Sequence, residues 1–238
     1  MKIAVCFSGG IRYPHIGLES LKKIFPNNDI KVFIHTWKIE NIEDYLSTVA
    51  DLQYKERDNT VIFDYEYLKK YNYESLLIES YDSKKQLFQK KLDCLKFSSY
   101  YREDVGPISM HYSIFKSNQL KKDYEESHGI VFDRVIRMRF DSDFQDKELN
   151  LDQLTDDLNI PFGEDWCGGI NDQFALGTSD VINIYSDFYH QMHMVQDVQY
   201  HPETMLRKYL EITGVKVNRF EFPIRINNNI DFRRVLFG

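Results

Sequence analysis

Short apolar runs alternate with helical patterns along the first part of the chain. Residues 2–7 form an apolar run that glycines follow, which is typical of a strand buried on both faces. Residues 15–25 carry apolar side chains at helical spacing, and residues 30–37 form a second apolar run. A helical pattern at 42–49 and a short apolar run at 61–63 follow. This succession predicts an α/β sheet whose first strands are parallel.

The rest of the chain continues the pattern without an internal boundary. Residues 82–128 have a mainly helical pattern, with a break at Gly106 and Pro107 and a helix stop at Gly129. There is no repeat, low-complexity tract or linker composition. We therefore predict one domain over residues 1–238, with a mostly parallel central sheet flanked by helices. Later elements are expected as helices at 179–195 and 202–213 and as a strand at 215–222.

Composition and charge limit the classes of partner and compartment. Hydrophobic residues make up 42% of the chain, enough for a substantial core. The net charge is −7 and no long block of Lys or Arg occurs, which disfavours nucleic acid as a tightly held partner but leaves a local basic groove open. The three cysteines have no metal-type spacing and favour a reduced, cytoplasmic protein. No segment approaches the ~20 apolar residues of a membrane span, so no membrane insertion is expected.

Two carboxylates follow an apolar, β-branched run within residues 134–144. Asp141 and Asp143 are spaced i, i+2, and side chains two apart on an extended chain point the same way. The spacing predicts that both converge just past the end of a strand. Two hard oxygen ligands suit Mg²⁺ or Mn²⁺, which in turn can hold a diphosphate. A polar turn after a strand is the alternative interpretation.

The first strand ends in a glycine turn that contains Phe7, Ser8 and Gly9 and leads to Arg12. Open α/β sheets bind ligands at this end of their strands, and glycine lets a backbone approach a nucleotide closely. The guanidinium of Arg12 can fork onto a phosphate or a carboxylate. The turn has neither a Walker nor a dinucleotide fingerprint, so an ordinary strand-to-helix connection is the alternative.

Two later segments carry further candidates. Asp172 lies in a glycine-rich loop, where it is a candidate general base or acceptor-binding carboxylate. A turn or capping role for Asn171 or Asp172 is the alternative. His201 precedes a helix that starts at Pro202, and it could reach a metal or a phosphate. Glu203 has a full explanation as an acidic group at the helix start.

Several histidines are interpreted without a metal. His35 and Trp37 close the second strand, and a satisfied buried histidine is the favoured interpretation of His35. A zinc site built from His190, His193 and His201 is rejected, because the chain has neither a His-Glu-x-x-His motif nor paired cysteines.

Taken in order, these motifs resemble the small bacterial and viral sugar transferases of GT-A type, including the WavE-like lipopolysaccharide group. The resemblance runs from residue 2 to about residue 213 and is weakest over 50–105. It implies a GT-A-like, Rossmann-related domain. Residues 1–145 would form a nucleotide-sugar and metal half, and residues 146–238 an acceptor half.

The resemblance also implies roles for individual residues. A nucleotide-diphosphate sugar would bind where the first strands end, with a divalent metal on Asp141 and Asp143 bridging its phosphates. His201 matches a late histidine near the metal, and Asp172 matches the acceptor-side carboxylate. Donor contacts are expected from Phe7, Ser8, Gly9, Arg12, Lys116, Arg139 and Asp141, and the helix that carries Ser113, Lys116 and Asn118 would lie against the nucleotide or sugar.

The expected activity is that of a metal-dependent glycosyltransferase, a hexosyl- or pentosyltransferase acting on a glycan or another hydroxyl acceptor. Breaking the sugar–phosphate bond builds negative charge on the leaving diphosphate, which a metal ion and nearby arginines neutralise. An inverting reaction also needs a base, for which Asp172 is the best candidate. Two alternatives stay open: a viral transferase for a hydroxymethylated DNA base, and a catalytically inactive nucleotide-sugar-binding module.

Overall fold

The apolar run at the start of the chain is a central strand in the computed structural model of the protein. Strand β1 (Ile3–Gly9) leads into helix α1 (Pro14–Ile24), and strand β2 (Ile30–Lys38) pairs with β1 in parallel, as predicted. The helix and strand predicted at 42–49 and 61–63 lie outside the described residues. The structure describes residues 1–25, 30–40, 65–100, 104–144, 149 and 153–226.

The later elements include the helices that the sequence predicted, together with three strands of the main sheet that it did not. The unpredicted strands are β3 (Ser75–Ser80), β5 (Leu158–Pro161) and β6 (Phe174–Gly177). Two of them have only four residues, too few for a clear alternating pattern. The remaining elements are α2 (Tyr81–Cys94), α3 (Gly106–His128), β4 (Arg134–Met138), α4 (Ser179–Gln191), α5 (Pro202–Thr213) and β7 (Val217–Phe220).

The seven strands form one sheet in the order β3-β2-β1-β4-β6-β5-β7. Strand β6 is antiparallel to both of its neighbours, and the other pairings are parallel. The prediction of a mostly parallel central sheet flanked by helices is confirmed. We call the edge at which the parallel strands end the carboxyl edge. Because β6 runs the other way, the loop of residues 162–173 between β5 and β6 lies at this edge.

The core has two layers, one on each face of the sheet. Ala4 and Cys6 on β1 belong to the layer that contains α3, whereas Val5 and Phe7 belong to the layer that contains α1. This two-sided burial explains why β1 reads as a continuous apolar run. Helix α3 ends at Gly129, whose φ of 61° supplies the left-handed cap that the sequence predicted.

The chain after β4 turns earlier than the sequence suggested. Strand β4 ends at Met138, and Asp141 lies in a turn, while Asp143 belongs to a two-residue ladder with residues 225–226. Both carboxylates lie just past the end of β4, as the sequence predicted, but the chain that carries them turns and does not continue as one extended segment. The cause is Phe140, whose ring stacks on Phe7 at a centroid distance of 5.3 Å and whose carbonyl accepts the Gly17 N–H at 2.8 Å.

Within the described residues, none of the helices combines the length and the apolar character that crossing a bilayer would require.

Candidate functional site

The main sequence candidates gather at the carboxyl edge. Arg12 follows β1, Asp141 follows β4, and Asp172 immediately precedes β6. The residue pairing Met138–Phe174 joins the end of β4 to the start of β6, so the loops next to these strands meet at this edge. This is the position at which open α/β sheets bind their ligands.

Asp141 is held between two arginines. Arg139 donates from Nε to Oδ1 at 2.8 Å and from Nη2 to Oδ2 at 2.9 Å, while Nη2 of Arg12 lies 3.3 Å from Oδ2. The Asp141 side chain is buried, which disfavours its charge, but the two guanidinium groups outweigh burial and hold its pKa below the usual range. The glycine turn and the Asp-x-Asp segment therefore meet in one charged cluster.

Asp141 and Asp143 do not form a complete metal site by themselves. Their carboxylates suit a cation that binds together with a diphosphate, whose oxygens would supply further ligands. The described part of the chain contains no group of three or more His, Cys, Asp or Glu side chains that could hold a metal ion. Mg²⁺ is usually bound by one or two carboxylates, substrate phosphates and retained waters. Ser142, between the two carboxylates, has a buried hydroxyl with no hydrogen-bond partner among the described residues. These oxygens suit a small hard cation.

His201 does not join Asp141 and Asp143 in a three-ligand metal site. Its Nδ1 is 2.8 Å from Oε2 of Glu203, and both side chains are largely buried at the start of α5. The metal cluster of Asp141, Asp143 and His201 that the resemblance implied is not assembled. His201 instead belongs with Glu203 and Asp172, because its charge acts on the Asp172 carboxyl.

Asp172 has a buried carboxyl group whose pKa is raised to about 7. Burial and the negative charge of Glu203 raise its pKa to about 7, against the lowering effect of Arg137, Arg139 and His201. A group whose pKa lies near the working pH is well suited to accept a proton in a reaction. Burial and the raised pKa are compatible with the interpretation of Asp172 as a general base.

The turn interpretation applies to Asn171 and not to the Asp172 carboxylate. Oδ1 of Asn171 accepts the Gln173 N–H at 2.8 Å, and its Nδ2 donates to the Gly163 carbonyl at 3.0 Å. Helix α4 is capped by Thr178, whose side chain accepts the Val181 N–H at 3.4 Å. Within the residues the structure covers, no hydrogen bond reaches the Asp172 carboxylate, so a turn or cap does not account for its position.

Arg137 joins β1, β4 and the loop before β6. Its Nε donates to Oγ of Ser8 at 3.2 Å, and its Nη1 donates to the backbone carbonyl of Asp172. The guanidinium is 1% exposed, so it positions the Asp172 backbone without meeting a ligand in this state.

Two buried residues near Arg137 were missed by sequence reasoning. His111 on α3 has a pKa lowered to about 3 by burial and the charge of Arg137, so the ring is neutral. Tyr185 on α4 has a pKa raised to about 12 by burial. His111 Nε2 and Tyr185 Oη have no hydrogen-bond partner among the described residues. Which face of a long helix turns toward the site is a tertiary property, and no motif marks either residue.

The glycine turn is fastened from inside the protein. Ser113 Oγ accepts the Gly9 N–H at 2.7 Å and lies 2.7 Å from Nδ1 of His35, whose Nε2 is 3.1 Å from Oε2 of Glu79. His35 is fully buried, which confirms its core interpretation. Phe7 is also fully buried in the core, so the turn supplies a fixed support from which Arg12 extends.

Lys116 and Asn118, the other candidates on α3, make contacts outside the arginine–carboxylate cluster. Nζ of Lys116 is 5.9 Å from the centre of the Tyr112 ring, and its charge adds to burial in lowering the pKa of His35. Asn118 donates to Oδ1 of Asn183 at 2.9 Å and lines a groove of about 420 Å³ between α3, α4 and α5. This groove does not include the arginine–carboxylate cluster.

The site is thus a cluster of arginines and carboxylates at the carboxyl edge of a Rossmann-like α/β domain. No protein-family model matches the chain, and no curated protein matches it either.

Proposed function

We propose that the protein is a metal-dependent glycosyltransferase, a hexosyl- or pentosyltransferase that moves a sugar from a nucleotide-diphosphate sugar to a hydroxyl of a glycan acceptor. The observation that carries the proposal is the pairing of Arg12 and Arg139 with Asp141 on the same sheet edge as Asp172. Cations for a diphosphate, carboxylates for a metal and a base near neutrality are the three requirements of this reaction.

Arg12 and Arg139 bind the donor phosphates in this account. Planar guanidinium groups form two parallel hydrogen bonds to phosphate oxygens as readily as to a carboxylate. The Mg²⁺ or Mn²⁺ held by Asp141 and Asp143 would neutralise charge on the leaving nucleoside diphosphate. Arg12 and Arg139 share that task, since they already lie beside Asp141.

Asp172 removes the proton from the acceptor hydroxyl. Its pKa of about 7 leaves a large ionised fraction at neutral pH, and burial favours the protonated product. Glu203 keeps that pKa high, and Arg137 fixes the backbone that carries the carboxyl. Proton acceptance and donor binding are thus assigned to separate side chains.

The topology and the cysteines support the same proposal. The mostly parallel sheet with one antiparallel strand is compatible with the Rossmann-related domain that the resemblance implied. In this proposal the donor residues belong to the part up to 145 and Asp172 to the part after 146. Three free cysteines agree with a reducing compartment, and we propose the cytoplasm.

A thermal-shift screen tests the proposed function. UDP-, GDP- and dTDP-sugars are compared with CMP-sugars, which lack a diphosphate, each with Mn²⁺ and with chelator. A ligand that binds the native state raises its melting temperature by mass action. We expect at least one diphosphate donor to raise it in Mn²⁺ only. Absence of a shift with all of these donors would contradict the proposal.

Arg12→Ala is expected to weaken donor binding by about 1.5–3 kcal/mol, the usual contribution of a hydrogen bond to a charged group. That corresponds to a dissociation constant roughly 10–150-fold higher, measured by titration calorimetry in Mn²⁺. Arg134→Ala is the matched control, because Arg134 begins β4 at the opposite edge and pairs with Asp156. An unchanged donor dissociation constant in Arg12→Ala would reduce the glycine turn to a structural connection.

The pH profile of the chemical step is expected to follow Asp172. Only the ionised carboxyl accepts a proton, so the single-turnover rate should rise with pH and level off above an inflection near 7. Glu203→Gln removes a charge that raises this pKa, so the inflection should move to lower pH. A flat profile, or an inflection that Glu203→Gln leaves in place, would exclude Asp172 as the titrating group.

A further inference from the structure

Two large aromatic side chains are exposed in the loop of residues 162–173. Phe162 is 52% exposed and Trp166 is 59% exposed, and both lie at the carboxyl edge. Val131 and Ile212, two other exposed apolar side chains, lie outside this loop. Two exposed rings four residues apart on a loop that also carries a candidate base indicate a binding surface.

Both rings are held in place by charged neighbours. Trp166 donates from Nε1 to Oε2 of Glu164 at 2.9 Å, and the guanidinium of Arg219 lies 5.1 Å from the centre of the Phe162 ring. Arg219 is itself fixed by Asp165 at 2.9 Å. A ring that is already oriented loses little freedom when a ligand binds to it.

The same loop is fastened to the start of α5, where it reaches the acceptor side of the proposed site. The Gly169 N–H donates to the Trp166 carbonyl at 2.8 Å, and the Ile170 N–H donates to the Glu203 carbonyl at 3.1 Å. A Cβ at Gly169 would come within 2.2 Å of the Glu203 carbonyl carbon, so only glycine permits this approach. Trp166 and Asp172 therefore share a short, fixed segment.

We propose that Trp166 and Phe162 form an aromatic platform that binds a pyranose ring of the acceptor glycan beside Asp172. The inference rests on the proposed function and names the chemistry of its acceptor. One face of a pyranose consists mainly of C–H groups, which pack on an aromatic ring, while its hydroxyls stay at the rim. The carboxylates of Glu164 and Asp165, bonded to Trp166 and Arg219, place negative charge next to the rings, which suits hydroxyl groups and disfavours a lipid chain.

The tryptophan content allows a direct binding measurement. The chain has two tryptophans, and Trp37 is 1% exposed, so acrylamide quenching reports on Trp166. Lactose, cellobiose, maltose and chitobiose are titrated without donor or metal. We expect at least one of them to protect Trp166 from quenching in a saturable manner and to shift its emission to shorter wavelength.

Variants then assign the binding to the ring. Trp166→Ala should weaken binding of the protecting sugar roughly tenfold or more by ligand-observed NMR, whereas Trp166→Phe should retain most of it. Ile212→Ala, which truncates an exposed side chain on α5, is the matched control. Melting temperatures should be equal for all three variants, because neither side chain is part of the core.

Three results would overturn the platform: no protection by any of the four sugars, unchanged sugar affinity in Trp166→Ala, or a change in oligomeric state of that variant by size exclusion. The last would mean that the rings cover a contact with another copy of the chain. Because sugar binding is measured without donor or metal, its failure leaves the donor tests unaffected. Loss of donor binding with intact sugar protection would overturn the proposed function instead.

Discussion

Asp172→Asn is expected to lower the chemical rate by roughly 10²–10⁴-fold, the usual contribution of general-base catalysis. Asparagine keeps the shape of the side chain but cannot accept the proton of an acceptor hydroxyl. The backbone contact to Arg137 is kept, because it uses the carbonyl of residue 172. Single-turnover rates at saturating donor and acceptor measure the effect.

Asp172→Asn should be at least as stable as the wild type above about pH 7, although its rate is lower. The pKa of Asp172 is raised in the folded state from its usual 3.8 to about 7, so between these values the folded protein binds more protons than the unfolded chain. The contribution of Asp172 to the free energy of unfolding therefore falls as the pH rises from 3.8 to about 7, and this fall is absent from Asp172→Asn. Above about pH 7 the melting temperature of Asp172→Asn should equal or exceed that of the wild type.

The control for this variant is Asp156→Asn. Asp156 is an exposed carboxylate at the opposite edge, paired with Arg134, and its replacement should leave the rate unchanged. A normal rate in Asp172→Asn would contradict the assignment and transfer the role to Asp165 or Glu203, the other carboxylates of this region.

Asp143→Asn is expected to abolish turnover and metal-dependent donor binding. The amide keeps the shape and removes the charge that a hard cation needs. A substitution of Asp143 tests the metal more directly than one of Asp141, because Asp141 also neutralises Arg12 and Arg139. The ladder with residues 225–226 is formed by the backbone and should survive, so the variant is expected to keep the fold.

The same variant separates the metal from the arginines. Donor binding that persists in chelator through Arg12 should be equal in the wild type and in Asp143→Asn, and only the part added by Mn²⁺ should be lost. Full activity of Asp143→Asn, or of the wild type in excess chelator, would remove the metal from the mechanism.

The spacing of apolar residues was enough to predict the strands and helices that bury a continuous apolar face. Strands β1 and β2 and helices α1, α4 and α5 appear close to their predicted positions because each has an apolar run or stripe long enough to set a period. Strands β5 and β6 have four residues each and were missed. Their place in the sheet depends on pairing with β4 and β7, which are distant in sequence.

Part of the candidate site was expected from the resemblance. It implied that the segments after β1 and β4 share one donor site at the end of the strands, and Arg12 does contact Asp141. The local geometry of Asp141 was not predictable in this way, since burial of Phe140 bends the chain. Lys116 illustrates the same limit, because its position depends on which face α3 turns toward β2.

The measurement that tests the central claim most directly is a calorimetric titration of the wild type with the donor that gives the largest thermal shift, once in Mn²⁺ and once in chelator, repeated with Asp143→Asn. The account predicts tight binding by the wild type in Mn²⁺ and weak binding in the other three titrations. Equal donor affinity in all four titrations would contradict it.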